Sequence, residues 1–236
     1  MNNILHKKAI DLSDIVELIK SEVKETVLIT FLNPVSYVKM SKRKDLLVQV
    51  DRIGYDGIML VKFMQIFYKS GIDRTSFDLT SLSPIIFEQS CKSGDGIYII
   101  GSKEDAITKA VRNIKEGFLN INIIGYRHGY NIDNEEFIKI METINSLKPK
   151  FIVVGMGAIK QEEFMIKIRN SLSYNCIIFS CGGYIHQTSE SINYYPQFID
   201  KYNLRMPYRI YKERLYNRLY LYVVFIFIFI KNKLTD

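Results

Sequence analysis

Four glycine-bearing turns hold most of the side chains in this 236-residue chain that could do chemistry. "YDG" at 55–57 carries Asp56, and "GYRHGY" at 125–130 carries His128. "GMGAIKQ" at 155–161 carries Gly155, Gly157 and Gln161, while "CGGYIHQ" at 181–187 carries Gly182, Gly183 and His186. Each lies between a strand-like segment and a helix-forming one. Backbone N–H groups in such turns can approach an anion, and an amide such as Gln161 can donate to and accept from a base, a ribose or a sugar. One Gly-x-Gly alone says little, because tight turns use glycine for backbone reasons. Several at successive strand ends predict one shared mouth. Asp56 could accept a proton there or simply cap the helix that follows; Gln161, Glu162 and Glu163 could likewise serve only to favour a helix N-terminus. His128 and His186 could each bond a sugar.

Other chemistries lack their residues. There is no Gly-x-x-x-x-Gly-Lys-Ser/Thr loop, no third glycine after "GMG" to complete a dinucleotide fingerprint, and no Gly-x-Ser-x-Gly elbow. Three histidines and three cysteines (Cys91, Cys176, Cys181) show no ligand spacing, so a zinc site is rejected, and no Asp-x-Asp offers a divalent metal to a sugar nucleotide. The expectation is chemistry without a metal or a cofactor.

The elements that must position these residues alternate. Apolar runs at 26–32, 46–50, 96–101, 121–125, 151–155 and 176–180 read as buried strands. Amphipathic stretches read as helices at Asp14 to Lys24, Gly57 to Lys69, Ser83 to Ser90, Asn134 to Leu147 and Lys160 to Leu172. Another runs to Gly117, with Ser102 as its cap and Asp105 in the box position. This alternation predicts an α/β fold: a mostly parallel, Rossmann-like sheet with helices on both faces.

Charge is uneven. The net charge is +7, and residues from Lys201 onward, with eight Lys and Arg against Glu213 and Asp236, supply +6 of it. Two parts are therefore expected, an α/β domain over 1–200 and a basic, aromatic appendage over 201–236. Tyrosines interleaved with Arg205, Arg209, Arg214 and Arg218 suit an anionic membrane face. "LYLYVVFIFIFI", 219–230, is uncharged but shorter than the roughly 20 residues a spanning helix needs; an interfacial helix and a strand joined to the sheet both fit it. The N-terminus lacks the long apolar run of a signal sequence, and the odd thiol count suits a reducing compartment, so the expected location is cytoplasmic, peripheral on the inner membrane face.

Five blocks, in order, resemble the WecG/TagA/CpsF glycosyltransferases: "TFLNPVSYVKM" (30–40), "YDGIMLVKF" (55–63), "GIDRTSFDL" (71–79), "VVGMGAIKQEEF" (153–164) and the glycines at 182–183 with "NLRMPYRIYKER" (203–214). The likeness covers roughly residues 26–218. It implies inverting transfer of a sugar from a UDP-sugar to a polyprenyl-diphosphate-linked saccharide, in surface polysaccharide or teichoic acid synthesis. By the same resemblance Asp56 is the catalytic base, Thr30 and Asn33 orient it or the acceptor hydroxyl, and Arg74, with Asp78 in the same block, is the cation for the diphosphates. Gln161, with the turn glycines 155, 157, 182 and 183 and His186, would hold substrate; the tail arginines would meet the lipid diphosphate and the membrane. Ile159 departs from the family's Pro and Phe164 from its usual Trp, and the segments after the sixth strand and at the tail also differ, which leaves donor sugar and acceptor open. So does the oligomeric state, a homo-oligomer included. The rival readings are a non-catalytic membrane partner of a polysaccharide assembly complex and a nucleic-acid-binding module. Against the latter, positive charge is confined to the tail and no groove-reading motif is present.

Overall fold

The computed structural model describes residues 1–192, 194–202 and 204–235, without the side chains of residues 197, 200 and 217; Asn203 of the tail motif and Asp236 lie outside the described residues. Six strands, β1 (Val27–Leu32), β2 (Arg52–Tyr55), β3 (Ile97–Gly101), β4 (Ile123–Arg127), β5 (Phe151–Gly155) and β6 (Ile177–Ser180), form one sheet in the order β2-β1-β6-β5-β3-β4. Every pairing is parallel. The strands read as apolar runs because both faces are covered.

The helices are α1 (Asn2–Lys7), α2 (Leu12–Lys20), α3 (Pro34–Met40), α4 (Lys44–Gln49), α5 (Ile58–Tyr68), α6 (Leu82–Ser93), α7 (Glu104–Gly117), α8 (Asn134–Leu147), α9 (Lys160–Arg169), α10 (Tyr184–Glu190), α11 (Gln197–Lys201), α12 (Arg205–Lys212) and α13 (Leu219–Thr235). Alternate strand residues serve opposite cores. Leu28, Leu32, Tyr98, Ile100, Ile152 and Val154 pack with α1, α3, α4, α5, α8, α9 and α13. Ile29, Phe31, Ile97, Ile99, Phe151 and Val153 pack with α2, α6, α7 and α10.

Three expectations change. "LLVQV" is not a strand: Leu46 to Gln49 close α4, with Leu46, Leu47 and Val50 buried and Val48 and Gln49 exposed, and the second strand follows at Arg52. A short apolar run carries no period that separates the two states. Ser102 does not cap α7; it has φ +57, Lys103 precedes the helix, and no side chain bonds the N-terminal amides. Third, the tail is not set apart from the α/β body. Its last segment is a helix, and Phe225 and Phe229 are fully buried against Tyr37 and Phe63. Burying each such ring is worth about 1.5–3 kcal/mol. Asn2 Nδ2 donates to Phe229 O at 3.1 Å, Asn232 Nδ2 donates to Tyr37 Oη at 2.9 Å, and Tyr37 Oη donates to Asn2 Oδ1, so one buried network ties the first helix to the last. Among the described residues no helix is long and apolar enough to cross a membrane.

Candidate active site

A cleft of about 580 Å³ opens at the carboxyl ends of β1, β2, β5 and β6, where a parallel sheet presents its turns. Three of the four glycine turns reach it. The fourth, 125–130, lies at the end of edge strand β4; none of its residues lines the cleft, and His128 Nδ1 accepts the N–H of Tyr130.

Asp56 follows β2 and lines the cleft. Its backbone N–H donates to Leu32 O at 2.8 Å, which ties it to the neighbouring strand. It does not cap α5; Gly57, at φ +87, occupies that position without a side-chain bond. Its carboxylate instead accepts from Arg74 Nη2 at 3.0 Å. The same guanidinium bonds Ser76 Oγ at 2.6 Å and pairs with Asp78, whose Oδ2 also receives Arg205 Nη1 at 2.8 Å. Burial works against the Arg74 charge, but Asp56 and Asp78 outweigh it and hold the group above its usual range. Burial would likewise raise Asp78, yet Arg74 and Arg205 hold it down at about 2.

Asn33 caps α3 in a box with Ser36, its Oδ1 accepting the Ser36 N–H at 3.0 Å, and it lines the cleft beside Pro34 and Lys39. Thr30 stands one layer behind. It is fully buried on β1, donates to Glu162 Oε1 at 2.7 Å and lies 3.0 Å from Ser180 Oγ; Ser180 itself reaches the cleft. Gly157, at φ +79, and Gly182, at φ +54, line it, and a Cβ on either would meet open space. Gly155 does not line it; an added Cβ there would lie 2.7 Å from Cys181 Sγ, so this glycine lets the end of β5 pack on the next turn. His186 lies outside the lining, half exposed, with Nε2 3.6 Å from Glu190.

Gln161 sits in the first turn of α9 and is 2% exposed, yet it lines the cleft. Its Nε2 donates to Glu162 Oε1 at 2.8 Å. Neither Glu162 nor Ser180 was singled out from the sequence, and nothing there distinguishes Glu162 from Glu163. On the helix the two diverge: Glu162 is fully buried, while Glu163 pairs with Arg43 at the surface.

The roof is the tail. Arg205, Arg209 and Arg218 line the cleft, with Tyr222 from α13; Arg214 is exposed and lies away from it. Arg205 lies 5.1 Å from the Tyr195 ring centre. Arg209 bonds Glu213 at 2.7 Å and crosses Gly183 so closely that a Cβ there would stand 2.5 Å from its Nη2. Burial pushes the Tyr195 and Tyr222 phenols up to about 12.

The model of the "Glycosyl transferase WecG/TagA/CpsF family" matches residues 4–236. The chain belongs to this family. A Shigella boydii protein, UDP-Gal:alpha-D-GlcNAc-diphosphoundecaprenol beta-1,4-galactosyltransferase, is 35% identical over 78% of the chain and 77% of its own length. Two Bacillus relatives, each an N-acetylglucosaminyldiphosphoundecaprenol N-acetyl-beta-D-mannosaminyltransferase, match over 48% of the chain and 43% of theirs: 29% identical in Bacillus subtilis strain 168 and 26% in Bacillus spizizenii. As a member of the WecG/TagA/CpsF family, the chain is a glycosyltransferase.

Proposed function

We propose that this enzyme moves a sugar, with inversion and without a metal, from a UDP-sugar to a saccharide carried on a polyprenyl diphosphate, at the membrane surface. One observation carries the reading. Asp56, Arg74 and Gln161, distant in sequence, line one cleft roofed by Arg205, Arg209 and Arg218. A carboxylate beside several guanidinium groups suits diphosphate displacement, supplying a proton acceptor and charge to meet the leaving oxygens. The reading also draws on the Shigella boydii relative, whose name pairs UDP-Gal with a diphosphoundecaprenol-linked acceptor.

The acceptor hydroxyl oxygen attacks the anomeric carbon and gives its proton to Asp56. The bond from that carbon to the diphosphate breaks, and its electron pair leaves with UDP. Arg74 is held by Asp56 and Asp78 in the free cleft; an arriving diphosphate offers it competing oxygens, and its withdrawal frees Asp56 to take the proton. Arg218, from the tail, meets the lipid diphosphate as that substrate enters. Guanidinium groups neutralise the leaving charge, which makes a divalent ion unnecessary.

For the membrane, α5 and α13 pack ring on ring through Phe63, Phe67, Phe225 and Phe229. Beside that seam they expose Ile66, Phe67, Val223, Phe227 and Ile230; Lys62 and Lys231 are exposed on the same two helices, and Lys69 just after α5. This face suits a bilayer with anionic headgroups.

Incubation with UDP-galactose, other UDP-sugars and polyprenyl-diphosphate-linked GlcNAc, with chelator present and products read by mass spectrometry and anomeric NMR, tests the reading. The expected product carries the inverted linkage, and Asp56→Asn lowers turnover about 10²–10⁴-fold with the fold intact. Near-parental turnover by that variant, or a retained anomer, overturns it.

A further inference from the structure

Glu162 is fully buried, with three hydrogen-bond donors on its carboxylate and, among the described residues, no cation paired with it. Oε2 accepts the Ile159 N–H at 2.7 Å, and Oε1 accepts from Thr30 Oγ1 at 2.7 Å and from Gln161 Nε2 at 2.8 Å. These bonds fix the hydrogens by elimination. A carboxylate only accepts, so the single Thr30 proton points at Glu162. Thr30 Oγ1 can then only accept from Ser180, and Ser180 Oγ in turn accepts the Phe31 N–H at 3.1 Å. The Gln161 amide is fixed in the same way, because turning it over would set its oxygen against the Glu162 oxygen. Its Oε1 is left as the single buried side-chain nitrogen or oxygen without a hydrogen-bond partner among the described residues, on a residue that lines the cleft. The support is rigid. The same carboxylate anchors Ile159, a β-branched residue held at φ +81, a conformation that such residues rarely take and that proline, with its fixed negative φ, cannot.

We infer that Glu162 is a positioning residue which locks the Gln161 amide so that its oxygen faces the cleft and reads an N–H or O–H donor of the bound sugar nucleotide. The inference rests on the sugar-nucleotide reading of the cleft and adds the polarity of one contact. Gln161 accepts there and does not donate. Two parts of the ligand carry such donors, the uracil imide with the ribose hydroxyls and the hydroxyls of the transferred sugar.

Titration calorimetry on the full chain with UDP and with UDP-galactose tests this across Gln161→Ala, Glu162→Gln and the double variant, with thermal melts as the check on folding. The isosteric Glu162→Gln replaces one accepting oxygen by a donor, so the Gln161 amide is no longer pinned. Each single variant is expected to weaken binding roughly tenfold or more, and the double variant to bind no more weakly than Gln161→Ala alone, because both remove the same contact. Loss already seen with UDP assigns the donor to the nucleotide; loss seen only with UDP-galactose assigns it to the sugar. A residue serving folding alone would lower the melting temperature without this non-additivity. Parental binding by Glu162→Gln, or a double variant whose loss is the sum of the two, overturns the inference while leaving Gln161 as a contact. Parental binding by Gln161→Ala removes Gln161 from the sugar-nucleotide site, and the inference fails with it. If Glu162→Gln does not fold, Glu162→Asp replaces it: the shorter arm keeps the charge but withdraws it from Gln161, the same loss is expected, and parental binding overturns the inference.

Discussion

At the residue scale the cleft is a set of carboxylate–guanidinium pairs waiting for a third party. Asp78 receives both Arg74 and Arg205, joining the segment between α5 and α6 to the roof helix α12. Its folded value lies near 2, below the ordinary 3.8, so its contribution to stability is fully present above about pH 4 and is lost as pH falls through 2. The difference corresponds to about 2 kcal/mol, for a carboxylate only 16% exposed. Asp78→Asn is therefore expected to lower unfolding free energy by about 2 kcal/mol at pH 7, with parent and variant converging as pH approaches 2; urea titrations across that range measure it. A constant offset at all pH values would show that the charge is not what stabilises. Side-chain identity made Asp56, Arg74 and Gln161 legible beforehand as candidates, because their turns and blocks stand out in the chain. What they touch was not legible. Which of two adjacent glutamates points inward depends on helix phase against a sheet, and Thr30 reads as a strand-end hydroxyl until β6 brings Ser180 beside it.

At the scale of elements, five of the six strands fall within two residues of the apolar runs expected from the sequence. The failures have physical causes. Leu46, Leu47 and Val50 fit a helix stripe as well as a strand, and only packing on the sheet selects α4. The short helix α3 hid behind Asn33-Pro34, which reads as a turn until the capping box with Ser36 forms. The buried network of Asn2, Tyr37, Phe229 and Asn232 includes a bond between residues 227 positions apart, Asn2 and Phe229, and leaves no local signal. It sets the position of α13 against α1 and α3. Tyr37→Phe keeps the ring but leaves Asn2 Oδ1 and Asn232 Nδ2 without that hydroxyl, at an expected cost of about 1–3 kcal/mol in urea unfolding. Hydrogen exchange should speed up in α13 more than in the central strands, since the loss falls on the element the network anchors. Uniform acceleration across the sheet would mean that α13 does not open separately.

For the whole molecule, the sequence marked the tail as the basic part, but not that the same segment serves inside and outside at once. Phe225 and Phe229 complete a core begun by Tyr37 and Phe63, while Val223, Phe227, Ile230 and Leu234, at helical spacing on the opposite side, stay exposed. Composition registers only twelve uncharged residues in a row and cannot divide them between two faces, because that division depends on where α3 and α5 lie. If the outward stripe meets a bilayer, the cleft mouth, which Ile58 and Met59 of α5 share with Arg218 and Tyr222, is carried to the headgroup level where a lipid diphosphate would sit. Replacing Ile66 and Phe227 together by Asp puts two like charges on that face without entering either core. Binding to phosphatidylglycerol vesicles in a sedimentation assay should fall at least tenfold, since each side chain contributes on the order of 1.5–3 kcal/mol when removed from water. Calorimetric binding of UDP should be unchanged, because neither residue lines the cleft. Turnover of a lipid-linked acceptor should then fall further than turnover of a short-chain, water-soluble one. Parental vesicle binding by the double variant would mean that this face does not contact the membrane, and would turn attention to Tyr211 and Tyr216, the exposed aromatics flanking Arg214.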